Sequence, residues 1–234
     1  MIEKIYTIPI TEIFEEECFC PFCTLYKRLE AEEIKYALGP AMMEPDYRAI
    51  TNEKGFCKDH MAKLNSLPKA LPLALVIDTH MKKIQNIFDV TIKEKGFIKK
   101  ESNKDEYVNN FLKFNDSCAI CDRIDHTFMR YIDTFVYMIK ENPDFLSKVI
   151  EGNGFCLPHY TNILTVARKS LKGKQFEEIF NKLNETQKRK FKKYQKDIGD
   201  FIESFDYHHA NEPCIAPADT VIKSGHLLNG EFKK

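Results

Sequence analysis

Apolar residues recur along most of this chain at intervals of three and four, in stretches broken by Gly and Pro, and little of it alternates as a strand would. The first such stretch predicts a helix over Pro21 to Leu38, with Phe22, Leu25, Tyr26 and Leu29 on one side and Gly39-Pro40 as its stop. Pro45 opens a short helix through Ile50. Cys57 to Leu67 is a third helix, ended by Pro68. Leu71 to Lys95 is a longer one, with a stripe of Leu73, Ile77, His80, Ile84, Ile87 and Phe88, closed by Gly96. The pattern then returns. Asp116 or Ser117 caps a helix over Ala119 to Glu141 with Ile120, Ile124, Phe128, Tyr131, Phe135 and Met138 inward. Pro143 to Ile150 is short, Cys156 to Leu171 runs to Gly173, and Lys174 to Phe205 is long and amphipathic. Met1 to Ile10 reads as an extended lead-in and Thr11 to Glu17 as a short acidic helix. Beyond Asp206 only Pro217 to Leu228 has helical character.

The order CxxC helix, short helix, CxxH helix, long helix therefore occurs twice. The expected fold is all-α: two pseudo-repeated helical units packed as one body, with a groove at the pseudo-twofold. Residues 1–98 form the first repeat, 99–106 a polar linker, 107–205 the second repeat, and 206–234 a tail.

The chemistry lies in the repeated motifs. Cys20-Pro21-Phe22-Cys23 precedes Gly55-Phe56-Cys57-Lys58-Asp59-His60, and Cys118-Ala119-Ile120-Cys121 precedes Gly154-Phe155-Cys156-Leu157-Pro158-His159. Cys23 to Cys57 is 34 residues and Cys121 to Cys156 is 35. Ligands three residues apart reach one ion from a turn or the first turn of a helix, where free N–H groups and the helix dipole favour thiolate. Pro21 and Pro158 suit such helix starts. Gly before Phe marks a turn of unusual φ, with Phe as its anchor. The expectation is one Cys3His site per repeat: Cys20, Cys23, Cys57 and His60 in the first, Cys118, Cys121, Cys156 and His159 in the second. Zinc, two per chain, matches the thiolate and imidazole donors. An iron–sulfur cluster with one His ligand is the alternative cofactor. Cys-Pro-Phe-Cys also resembles a dithiol oxidoreductase motif, although the βαβ setting of that motif is missing.

Other residues are candidates of lesser weight. Cys18 is left over beside Cys20, either as an accessory to the first site or as a buried thiol. Asp122 and His126 share a helix face, as an outer support of the metal or as a solvated pair. His80 reads as a core histidine. Met42 to Arg48 either lines a pocket with Glu44, Asp46 and Arg48 or packs as a linker. The run Lys188, Arg189, Lys190, Lys192, Lys193 and Lys196 reads as the wet face of its helix. His208, His209, Cys214 and His226 match no compact ligand spacing.

Composition narrows the function. Lys plus Arg equals Asp plus Glu at 35 each, against a nucleic-acid partner. No apolar run approaches the roughly 20 residues of a membrane span, and the first residues lack a secretion-signal layout. Reduced cysteines fit the cytoplasm. There is no Gly-rich phosphate loop, nucleophile elbow, Glu-x-x-His pair or HExxH, so no catalytic residue is assigned. Closed four-ligand sites are structural. The reading is a non-enzymatic two-zinc helical scaffold that binds a protein or small ligand, with no nucleic-acid or membrane partner. The alternative is a thiol-redox or metal-responsive protein that releases zinc on oxidation, favoured by Cys18 beside the first site. A third is an iron–sulfur redox protein. Neither the partner nor the oligomeric state is encoded in the motifs.

The series Cys-Pro-Phe-Cys, Gly-Pro-Ala-Met-Met-Glu-Pro-Asp-Tyr-Arg, Gly-Phe-Cys-Lys-Asp-His, Cys-Ala-Ile-Cys-Asp-Arg-Ile, Gly-Phe-Cys-Leu-Pro-His and a late Phe-Asp-Tyr with Glu-Pro resembles a bacterial family of unknown function over nearly the whole chain. The resemblance implies a bacterial cytoplasmic protein and matches the eight Cys and His positions to one another. That family carries Trp where this chain has Cys214, which argues against a metal role for the tail.

Overall fold

The computed structural model describes residues 4–88, 107–114, 117–205 and 216–231, and among them there is no strand. The chain is all-α. Its helices are α1 (Thr7–Ile13), α2 (Pro21–Ala37), α3 (Pro45–Lys54), α4 (Lys58–Asn65), α5 (Ala70–Phe88), α6 (Ala119–Glu141), α7 (Pro143–Glu151), α8 (Leu157–Ser170), α9 (Gly173–Glu203) and α10 (Thr220–Asn229). Residues 107–114 are also helical. The expected linker 99–106 and most of the tail's polar start, with His208, His209 and Cys214, lie outside the described residues.

Two compact units divide the chain elsewhere than between the sequence repeats. The first is Met1–Lys27 with Phe128–Lys234, and the second is Arg28–Thr127.

The first unit is centred on aromatic rings. Phe135 stacks with Phe14 at 5.4 Å and meets Phe22 edge-on at 5.2 Å, and Phe155 lies 5.8 Å from both Phe22 and Phe135. Ile132, Val136 and Ile139 of α6 and Ile163 of α8 complete this buried face. Each large side chain fully removed from water stabilises by roughly 1.5–3 kcal/mol. Ile10 and Ile13 of α1 are fully buried here too, which corrects the expected extended lead-in. Their spacing of three suits a helix, and Pro9 stands in the first turn, where its missing N–H leaves no bond unmade. Asn142 caps α7, its side-chain oxygen accepting from the Asp144 and Phe145 N–H groups at 3.1 Å, with Pro143 at the first position.

The second unit buries Leu29, Ile34 and Ala37 of α2, Tyr47 and Thr51 of α3, Leu64 of α4, Leu73 and Val76 of α5, and Ile120 and Ile124 of α6. Helix α3 packs on α5, and Arg48 donates to the Leu75 carbonyl (3.1 Å) and Thr79 Oγ1 (3.0 Å). Tyr36 donates to Glu44 at 2.7 Å and its ring meets Tyr47 at 5.4 Å. The Met42 to Arg48 segment is therefore held by the buried Tyr47 and by these hydrogen bonds, while Met43 is exposed. The α5 stripe is shallower than its periodicity suggests: Val76 is buried, whereas Phe88 is 63% exposed.

Candidate metal centres

All four ligand pairs stand at helix starts, as their spacing predicts. Cys20 precedes α2 and Cys23 is in its first turn; Cys118 and Cys121 stand likewise at α6. Cys57 and Cys156 are the extended N-cap residues of α4 and α8, at ψ 166° and 159°, and His60 and His159 follow within the first turn. The glycine two residues before each cap has positive φ, 59° at Gly55 and 68° at Gly154. A Cβ at Gly55 would stand 2.4 Å from His80 Nε2, and one at Gly154 would stand 3.2 Å from Gln187 Oε1. Only glycine combines that backbone with so close a neighbour.

The grouping differs from the expected one. The ligand atoms gather as Cys20, Cys23, Cys156 and His159, and as Cys57, His60, Cys118 and Cys121. Each centre takes its CxxC from one repeat and its CxxH from the other. The within-repeat sets, Cys20, Cys23, Cys57 and His60, and Cys118, Cys121, Cys156 and His159, do not form. The reason is the environment of the Gly-Phe turns. In the first unit Phe155 packs on Phe22, inside the Cys20–Cys23 motif. In the second, the Ala119 N–H donates to the Gly55 carbonyl (3.0 Å) and the Ser117 hydroxyl to the Lys54 carbonyl (2.8 Å). Each turn is thereby seated on the start of a ligand helix of the opposite repeat.

Four donors around a zinc-sized ion, at ~2.3 Å for sulfur and ~2.0 Å for nitrogen, stand roughly 3.8 Å apart for sulfur pairs and roughly 3.5 Å for sulfur–nitrogen pairs. In the first centre Cys156 Sγ lies 3.8 and 3.6 Å from the sulfurs of Cys20 and Cys23, and His159 Nδ1 lies 3.6, 3.4 and 3.1 Å from Cys20, Cys23 and Cys156. In the second, Cys57 and Cys121 are 3.8 Å apart, and His60 Nδ1 is 3.3 Å from each of its three sulfurs. These are the edges of two ion-sized tetrahedra. The cysteines are free rather than disulfide-bonded among the described residues.

Without a cation the thiols obstruct one another's ionisation. Burial opposes charge on Cys20, but hydrogen bonds from Cys156, Cys23 and His159 outweigh it and hold this thiol well below its usual range. Its hydrogen bond then pushes Cys156 up to about 12, and bonds with Cys156 and Cys20 push Cys23 up. Burial raises Cys118, and burial with the neighbouring Cys118 raises Cys121. A divalent ion removes this conflict, because it binds the thiolates and releases their protons. Burial also lowers His60, in spite of Glu30, and a neutral imidazole is the ligating form.

Helix α9 braces the first centre. Gln187 accepts from the Phe155 N–H (3.1 Å) and donates to its carbonyl (2.8 Å), while Arg189 donates to the Ile150 carbonyl (2.6 Å). Lys190 is buried and donates to the carbonyls of Phe19 and Gly154, one beside each ligand pair. This corrects its place on the wet face: it follows Leu183 and Gln187 at spacings of four and three, so the buried stripe includes it. His80 is satisfied by the Asn52 carbonyl at 2.7 Å and ligates nothing. Glu30, which the motifs did not signal, lies 3.2 Å from His60 Nε2, within ion-pair reach though off the alignment of a hydrogen bond.

The accessory candidates stand apart. Cys18 is half-buried, outside both groups, and burial raises its pKa. Asp122 pairs with Lys54 and His126 is exposed; both line a shallow cavity of about 400 Å³. His226 packs against Phe19 at 6.3 Å.

The model of a family of unknown function, DUF6062, matches residues 1–234. No curated protein and no solved structure matches the chain.

Proposed function

The chain belongs to this DUF6062 family, and we propose that it is a non-enzymatic zinc protein in which two closed Cys3His centres fix a helical scaffold that binds a protein or small ligand. The observation that carries this reading is the set of tetrahedral donor separations in both groups. Soft thiolates with one imidazole favour zinc, and four protein ligands leave it no place for a reactive water. All donors of a group lie within 4.8 Å of one another, which supports one ion rather than an iron–sulfur cluster with its several metals. Room for a small ligand exists in the first unit, in a cavity of about 510 Å³ lined in part by Cys18, Arg189, Lys190 and Lys193 and by the carboxylates of Glu17 and Glu151. Thiolate centres persist in a reducing compartment, which supports a cytoplasmic location. No described helix is long and apolar enough to cross a membrane.

Metal analysis of protein purified without oxygen tests the reading. Two zinc ions per chain in a colourless solution support it. Iron with visible absorption would replace it with electron transfer, and a metal-free protein with free thiols would end it.

A further inference from the structure

The two centres differ in burial and in the charge beside them. In the first, the sulfurs of Cys20, Cys23 and Cys156 are buried, and His159 lies among the rings of Phe128 (5.2 Å) and Phe22 (6.0 Å). A buried ammonium, Lys190, bonds to the carbonyls of Phe19 and Gly154 beside the ligand pairs. Three thiolates and an imidazole on a divalent ion carry a net charge of about −1. Lys190 offsets that charge and withdraws electron density from the sulfurs.

In the second centre Cys57 and Cys121 are only half-buried, and their sulfurs are neighbours at 3.8 Å. Glu30, with Lys63 on its other oxygen, faces His60 Nε2, and a carboxylate there raises the basicity of the ligand. The cations on the adjoining elements are paired with carboxylates or exposed, and none is buried as Lys190 is. Lys63 pairs with Glu30, Lys54 with Asp122, and Arg123 with Glu33, while Lys58 beside Cys57 is exposed. The more accessible thiolates therefore also stand without a buried cation to draw electron density from them, and they share one edge of the tetrahedron.

Resting on the two-metal reading, we propose that the second centre is a peroxide-reactive site: Cys57 and Cys121 are oxidised to a disulfide and release its ion, while the first centre keeps its own. One thiolate attacks a peroxide oxygen, forming an S–O bond, breaking the O–O bond and expelling hydroxide, which takes a proton to become water. The other thiolate attacks the resulting sulfenic sulfur, forming the S–S bond and expelling the second oxygen as water after protonation. In sum, two thiolates, one hydrogen peroxide and two protons give one disulfide and two waters. Losing two of four ligands frees the metal. A thiol reductant reverses the step. The sequence favoured oxidation at the site beside Cys18; the exposure of Cys57 and Cys121 assigns it to the second centre instead.

The test treats the zinc-loaded full-length protein with a small excess of hydrogen peroxide. Released zinc is followed with a chromophoric chelator, and cysteines are mapped by differential alkylation and mass spectrometry. The expected result is release of one ion of two, a Cys57–Cys121 disulfide, Cys20, Cys23 and Cys156 still protected, and uptake of zinc again after reduction. Simultaneous loss of both ions, earlier loss from the first centre, a disulfide elsewhere, or full retention of zinc would each overturn the proposal. A protein that holds no metal before peroxide is added refutes the two-metal reading instead, so the two failures are distinct.

Discussion

Glu30 stands on the far side of the His60 ring from the metal ligands: its Oε1 is 3.2 Å from Nε2, while Nδ1 meets three sulfurs at 3.3 Å. Lys63 holds the other Glu30 oxygen at 2.5 Å. A carboxylate at this distance favours the tautomer with the proton on Nε2, which leaves Nδ1 to ligate. Glu30→Gln is expected to weaken the second centre by about 10–100-fold and leave the first unchanged. A competition titration with a chromophoric chelator resolves the two.

Lys190 separates a buried cation from a solvated one. Lys190→Met leaves the Phe19 and Gly154 carbonyls without their donor, and charged hydrogen bonds of this kind contribute about 1.5–3 kcal/mol each. Apolar packing of the Met offsets part of this, so a net loss of about 2 kcal/mol is expected in urea unfolding of the zinc-loaded protein. Lys192→Met, on the exposed face two residues on, should change stability by less than ~0.5 kcal/mol.

Gly55 and Gly173 share a positive φ, 59° and 53°, but not a neighbourhood. At Gly173 an added Cβ meets nothing within 4 Å, so Gly173→Ala should cost only the backbone strain of about 1–2 kcal/mol. At Gly55 the Cβ collides with His80, whose Nδ1 is tied to the Asn52 carbonyl. Gly55→Ala should cost more than Gly173→Ala and weaken the second centre's metal affinity, because this turn presents Cys57. Paired thermal unfolding and zinc titration of both variants checks this.

Much of the fold, and the eight Cys and His residues that gather into the two groups, were legible in the sequence, for reasons that can be named. Pro21, Pro143 and Pro158 mark helix starts because their missing N–H is harmless there, and the Gly-Phe pairs mark turns that need positive φ. The partnership of the ligands was not legible. The first centre joins residues 133–139 apart and the second residues 58–64 apart, against the 34 and 35 of the repeat. Loop-closure entropy grows only logarithmically, so even the fourfold longer loop costs about 1.2 kcal/mol more. That is too little to choose a pairing. Packing chooses it, through Phe155 on Phe22 and the Gly55 carbonyl on the Ala119 N–H, and those contacts are far apart in sequence. The first helix was expected at Thr11 to Glu17 but lies at Thr7–Ile13, because Ile8-Pro9-Ile10 lacks helical periodicity by itself and Ile13 supplies it one turn later. Glu30 was missed because nothing in its local sequence points to His60.

The central claim is the exchange of ligands between repeats, and one variant tests it directly. The Cys20→Ser/Cys23→Ser protein, purified without oxygen, is analysed by native mass spectrometry for zinc and by alkylation of its remaining cysteines. The crossed arrangement predicts one zinc per chain, Cys156 open to alkylation, and Cys57, Cys118 and Cys121 protected. Protection of Cys156 together with exposure of Cys57 would show that each repeat holds its own ion, and would contradict the account.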